Sequence, residues 1–212
     1  MNWLTRIWWK HKFKESPYAH LFEPHRGEEY VALDCETTSL DPLHAELVSI
    51  AATKIVGNRV LTSQPFEIKL LPPDSLAEDS VKVHQIRHQD LVQGATEEEA
   101  LEALISFIGN RPIVGYHIRY DKKILDLACI KHKGFPLPNR IIEVADIYHD
   151  KLEQQLPNGY FDLSMDAICR HLDIPITNKH NALADAIVAA LIYVRLTHGS
   201  FPTFAHSTYP SK

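Results

Sequence analysis

Cysteine is scarce in this chain of 212 residues: Cys35, Cys129 and Cys169 are odd in number, far apart and never in a C-x-x-C pair. That argues against a disulfide framework and a cysteine-type structural zinc site, and points to a reducing, cytoplasmic setting. No run of about eighteen apolar residues occurs, so no transmembrane helix is expected. The basic start, MNWLTRIWWKHKFK, lacks the continuous apolar stretch and small-residue cleavage site of a secretory signal. There is no G-x-x-x-x-G-K-S/T phosphate loop and no G-x-S-x-G elbow, which leaves P-loop nucleotide hydrolysis and serine hydrolysis without support. Positive charge is not in excess either. The formal net charge is −5, which argues against a broad lysine-coated groove for a duplex. What the chain does have is apolar residues, 45% of the total, enough for a sizeable core.

The pattern of apolar residues and breakers reads β-β-β-α-β-α-β-α-α. Strand-like runs cover Tyr30–Asp34, Leu47–Val56 and Val60–Leu70, and a Gly57-Asn58 hairpin turn joins the last two. A loop through Val83, His84, Gln85 and Ile86 follows. Thr96 and Glu99 then form a capping box that opens a helix with Leu101, Leu104, Ile105 and Ile108 on its apolar stripe. Beyond it come a strand at Pro112–Tyr116, a helix at Lys122–His132 and a strand at Arg140–Val144 with Asp146 at its exit. Helices at Leu163–Leu172 and from about Asn181 to Thr197 complete the set. Tight turns early and helical crossovers later predict an α/β fold: a mixed sheet of three antiparallel strands followed by parallel strands, flanked by helices.

Three regions are expected: an arm over residues 1–26, a main domain over 27–199 and a polar tail over 200–212. The arm holds Trp3, Trp8 and Trp9 together with Arg6, Lys10, Lys12 and Lys14. Trp3, Leu4, Ile7, Trp8 and His11 have helical spacing. A basic aromatic helix of this kind suits a membrane surface, a nucleic acid or a protein partner, or packs on its own domain.

The chemistry begins in VALDCETTSL, Val31–Leu40. Alternate side chains of a strand share a face, so Val31, Leu33 and Cys35 point one way and Ala32, Asp34 and Glu36 the other. Two carboxylates on one strand face repel each other. They are tolerable at a solvated strand end, or beside a divalent cation with oxygen ligands. Asp121 follows a strand at the start of a helix, where an acid also suits the helix dipole. Asp185 is the only acidic or basic charge between Lys179 and Arg195, among Ala182, Leu183, Ala186, Val188 and Ala189. Burying a lone carboxylate is expensive, so Asp185 needs a partner or a cleft. His180, five residues earlier, suits a proton acceptor at the same cleft or an ordinary capping residue. Asp34, Glu36, Asp121 and Asp185 together are consistent with a two-cation site, in which ions about 3.5–4 Å apart clamp the attacking and leaving oxygens of a phosphoryl transfer.

Three stretches carry a family resemblance. D-x-E-T-T (Asp34, Glu36, Thr37, Thr38), G-Y-H-I-R-Y-D (Gly115–Asp121) and H-N-A-L-A-D-A (His180–Ala186) resemble the three motifs of DEDDh-type 3′→5′ exonucleases. In particular they resemble those of the proofreading epsilon subunit of bacterial DNA polymerase III and its stand-alone relatives. The likeness implies a ribonuclease H-like fold. It implies hydrolysis at 3′ ends of single-stranded or frayed nucleic acid, DNA in preference to RNA, with release of nucleoside 5′-monophosphates. It implies that Asp34, Glu36 and Asp185 hold one Mg²⁺ or Mn²⁺, that Asp34 bridges to a second ion completed by Asp121, and that His180 takes a proton from the attacking water. Thr37, Leu40 and His117 would bind substrate; Arg119, Lys122, Lys123 and Lys179 suit either phosphate contacts or an ordinary solvated face. His117, Ser39 and Asn181 depart from the asparagine, glycine and arginine frequent in the family, all at substrate-binding positions. The alternatives are a catalytically inactive nucleic-acid-binding or polymerase-associated scaffolding subunit with the same fold, and a ribonuclease H-like endonuclease.

Overall fold

The structure, a computed structural model, describes residues 3–176 and 181–203. One sheet holds β1 (Glu29–Thr37), β2 (Leu47–Val56), β3 (Arg59–Lys69), β4 (Ile113–Gly115) and β5 (Ile141–Glu143). Its strand order is β3-β2-β1-β4-β5. The β1–β2 and β2–β3 pairs are antiparallel, and the β1–β4 and β4–β5 pairs are parallel. This is the mixed sheet that the turn spacing predicts. The hairpin between β2 and β3 turns at Gly57, whose φ of 57° lies in the left-handed region that glycine enters without strain.

The helices are α1 (Trp3–Lys12), α2 (Glu78–His84), α3 (Glu97–Ile108), α4 (Ile118–Lys133), α5 (Val144–Gln155), α6 (Met165–Leu172) and α7 (Ala182–His198). Among the described residues no helix is long and apolar enough to cross a membrane. The capping box forms as expected: the Glu99 N–H donates to Thr96 Oγ1 at 3.2 Å, and the Thr96 N–H donates to Glu99 Oε2 at 2.9 Å. Two helices were not legible as such. The segment α2 is only seven residues long, too short for a helical period to show. Helix α5 follows β5 with no glycine or proline between them, and buries Val144, Ala145, Tyr148 and Leu152. Helix α4 also starts four residues before the expected Lys122, because His117 serves as its cap in a left-handed conformation, φ 55°.

Two cores cover the sheet, and β1 serves both. Val31, Leu33 and Cys35 pack with residues of α3 and α4, such as Leu104 and Leu125. Ala32 packs with residues of α5, α6 and α7, such as Leu152, Ile168 and Ile192. The alternation along β1 is therefore the one its sequence predicts. The arm is docked in part: Trp9 and Phe13 pack against the first core, and Leu21 and Phe22 are fully buried in it.

Candidate active site

Central position in the sheet determines what β1 presents. Asp34 lies opposite Ala51 and Glu36 opposite Ser49 on β2, so small partners leave the acids uncovered on that side. The register slips between Glu36 and Thr37, a bulge that re-aims the chain leaving the sheet. Helix α7 packs across β1 and β2. It does so with the buried residues Ala182, Ala186, Ala189 and Ala190, whose lack of side chain beyond Cβ lets backbones approach closely. Asn181 caps it, its Oδ1 accepting the Ala184 N–H at 3.0 Å. This brings Asp185, in the first turn of α7, against the acids of β1. One oxygen each from Asp34, Glu36 and Asp185 lie within 4.8 Å of one another.

Asp121 comes from the first turn of α4 and is buried. It stands outside that three-oxygen group, yet it is the strongest charged neighbour of Asp34. Burial holds the Asp34 carboxyl well above the usual carboxylate range, and the charges of Asp121, Glu36 and Asp185 push the same way. Glu36 is pushed up to about 7, by burial first and by Asp185 second. Asp121 is pushed up to about 8 by burial, against backbone N–H groups of its own residue and Cys35 that favour the anion. Glu36 Oε1 is buried without a hydrogen-bond partner. A buried carboxylate oxygen that no donor meets, among further carboxylates, is a donor set suited to a hard divalent cation such as Mg²⁺ or Mn²⁺.

The other expected site residues are distributed as follows. Thr37 Oγ1 is 2.8 Å from the Tyr120 hydroxyl, tying the end of β1 to α4. Leu40 is 93% exposed. His117 is exposed at the head of α4, with its backbone N–H donating to Glu143 Oε1 at 3.0 Å. Arg119 is paired with Asp146, and Lys122 Nζ sits 2.6 Å from both carboxylate oxygens of Asp126. Lys123 is exposed. His180 and Lys179 lie outside the described residues.

A profile of the exonuclease family matches residues 31–193. The chain belongs to the exonuclease family. As a member it is a 3′→5′ exonuclease, a phosphodiester hydrolase with a ribonuclease H-like fold. The DNA polymerase III subunit epsilon of Rickettsia prowazekii is 27% identical to this exonuclease over 190 residues, 86% of this chain and 80% of that one. The epsilon subunit of Aquifex aeolicus is 24% identical over 167 residues, 79% of each chain. Among solved structures, E. coli exonuclease I in complex with a dT13 oligonucleotide matches with a TM-score of 0.69 at 16% identity, a likeness of fold, over 81% of this chain. This chain spans about two fifths of that protein, 41%.

One feature of the exonuclease cleft escaped the sequence. A cavity of about 470 Å³ opens beside Glu36, between Thr37–Leu40 and the α2 residues Asp79, Ser80, Val83 and His84. His84 is buried, and its Nδ1 accepts the Ile86 N–H at 3.0 Å. The remaining proton of the neutral ring therefore sits on Nε2, which is buried and without a partner. Burial lowers the His84 pKa and keeps the ring neutral. A histidine ending a seven-residue helix carries no periodic signal, so nothing in the sequence marked it.

Proposed function

We propose that this exonuclease depends on divalent cations and releases nucleoside 5′-monophosphates from single-stranded or frayed 3′ ends, with DNA preferred to RNA. The observation that carries the reading is the meeting of Asp34, Glu36 and Asp185 around one point, with a buried Glu36 oxygen that no donor satisfies. Asp34, Glu36 and Asp185 would hold one Mg²⁺ or Mn²⁺, and Asp34 with Asp121 would hold a second. Bound there, the two ions supply Lewis acidity and charge neutralisation at the scissile phosphate. They also explain how a chain of net charge −5 attracts a polyanion without a lysine-coated groove.

His180 acts as general base, taking a proton from the attacking water through its neutral ring. The 3′-terminal nucleotide occupies the cavity beside Glu36. Leu40 and Val83 offer apolar contact to its base or sugar, and Thr37 borders the site. His117 meets the substrate from the head of α4. Residues 27–199 form the exonuclease domain, the arm over 1–26 is an attachment surface distinct from the cleft, and Phe201, just past the domain, packs against its second core. Cys35, Cys129 and Cys169 are buried and none is in a disulfide, and the setting we propose is a reducing cytoplasm.

The test is a time course on 5′-labelled DNA and RNA oligonucleotides with Mg²⁺ or Mn²⁺. A stepwise ladder is expected, faster on DNA, with circular single-stranded DNA untouched. Cleavage of the circle would make the protein an endonuclease. Intact substrates under every condition would leave the inactive scaffolding subunit as the better reading.

A further inference from the structure

The catalytic cleft makes no use of the arm, and α1 has two unlike sides. On one side Trp9 and Phe13 dock on the domain: the Trp9 ring lies 6.4 Å from Phe22 and the Phe13 ring 5.0 Å from Phe135. On the other side Trp3, Leu4, Ile7 and Trp8 are 72%, 69%, 46% and 55% exposed. At about 100° per residue these four occupy one arc of roughly 140°. Lys10 and Lys12 border the arc on its two edges, and Lys14 follows. Lys10 is held only by an exposed pair with Glu23 at 2.8 Å, a contact weak enough to exchange.

Charge is as unevenly divided. The chain has 22 Lys and Arg against 27 Asp and Glu; residues 1–14 hold four of the bases and none of the acids, leaving 18 bases against 27 acids elsewhere. The arm docks on Phe135, just past the C-terminal end of α4, whereas Asp121 lies in the first turn of that helix. Along the helix axis the two are about 20 Å apart.

We infer that the outer face of α1 is a docking surface for an anionic lipid bilayer. The exposed face is convex, a single helix with its rings projecting, and a bilayer deforms around such a face where a folded partner would need a matching groove. Tryptophan rings with an apolar body and an N–H suit the headgroup level, and lysines on both edges of an apolar arc reach anionic headgroups from there. An anionic surface repels the acidic remainder of the chain and attracts this face alone. The catalytic acids, at the other end of α4, stay in water.

The experiment uses the full chain. All three tryptophans lie within residues 3–9, so intrinsic tryptophan fluorescence reports the arm directly. Vesicles of phosphatidylglycerol and phosphatidylcholine are expected to co-sediment the protein and shift its emission to the blue, and phosphatidylcholine vesicles to do neither at low protein concentration. Lys12→Gln with Lys14→Gln is expected to lower partitioning about 25-fold at low salt, about fivefold for each basic residue removed. Trp3→Ser with Trp8→Ser is expected to abolish co-sedimentation. Both double variants change exposed side chains, and far-UV circular dichroism checks, independently of any nuclease activity, that the domain keeps its fold. No co-sedimentation with the anionic vesicles would overturn the inference, as would equal binding to neutral ones. So would an emission shift with single-stranded DNA and none with lipid, which would make the arm a nucleic-acid contact.

Discussion

Glu36→Gln should stabilise the cation-free exonuclease while abolishing its activity. Glu36 titrates at about 7 in the folded protein against an ordinary 4.5. That gap corresponds to ~3 kcal/mol at about 1.4 kcal/mol per pH unit. The sign follows from which state holds the proton more tightly. The folded carboxyl does, so the penalty is absent below about pH 4.5, grows as pH rises toward 7 and is complete above it. Wild-type stability in EDTA should therefore fall by up to ~3 kcal/mol from this residue alone between pH 4.5 and 8. Glutamine has the same size and cannot ionise, so the variant should escape most of that loss. In a protein of this length 1 kcal/mol moves Tm by about 2–4 °C, which gives a gain of roughly 6–12 °C at pH 8 and almost none at pH 4.5. Divalent ions should reverse the order. At a thousand times its Kd an ion adds about 4.1 kcal/mol to the wild type, more than the ~3 kcal/mol gap, and little to a variant lacking a ligand charge. Thermal melts at the two pH values, with EDTA and with Mn²⁺, measure all four cases. A variant melting at or below wild type at pH 8 in EDTA would refute the idea that Glu36 is held as an uncompensated charge awaiting a cation.

Asp34→Ala and Asp185→Ala should each lower the nuclease rate about a thousandfold, the worth of several kcal/mol of lost cation stabilisation, with unchanged far-UV circular dichroism; full activity in either would sink its assignment as a ligand. The acid limb of the rate profile should have two parts. Raised carboxyl pKa values mean that protons compete with cations below about pH 7 to 8, so more Mn²⁺ should move that part of the limb to lower pH. His180→Gln should remove the part that Mn²⁺ does not move, near pH ~6.5 for an unperturbed histidine, and an unaltered profile would dismiss the general base. Gly94→Ala should destabilise the fold by at least about 1–3 kcal/mol, the usual range for overpacking, because a Cβ there would lie 2.3 Å from the Leu70 carbonyl carbon. Urea midpoints measure it, and activity per folded molecule should be unchanged.

Much of the scaffold was legible because it is encoded locally. A period of two along Val31–Glu36 assigns each side chain of β1 to a face without any knowledge of what covers it, and the capping box at Thr96 and Glu99 is a contact within one turn. The isolation of Asp185 among alanines marked it as needing company, though nothing nearby in the chain said whose. Other features depend on what packs where. Helix α5 shows no boundary because β5 runs into it unbroken, and its helicity is secured by burying Tyr148 and Leu152 against the second core. That Lys122 pairs with Asp126 one turn on is visible only in the fold, and His84 becomes part of the cleft only because α2 lies beside Glu36.

By itself, then, the sequence determined which carboxylates are out of place and which way β1 turns them. The tertiary structure alone decided that residues 34, 36 and 185 share one point, that Asp121 stands just outside it, and that the arm is docked on one side and open on the other. Backbone preference and side-chain period act over a few residues. The distance between two carboxylates about 150 positions apart is set by how closely an alanine-faced helix lies on a strand, and that is a property of packing.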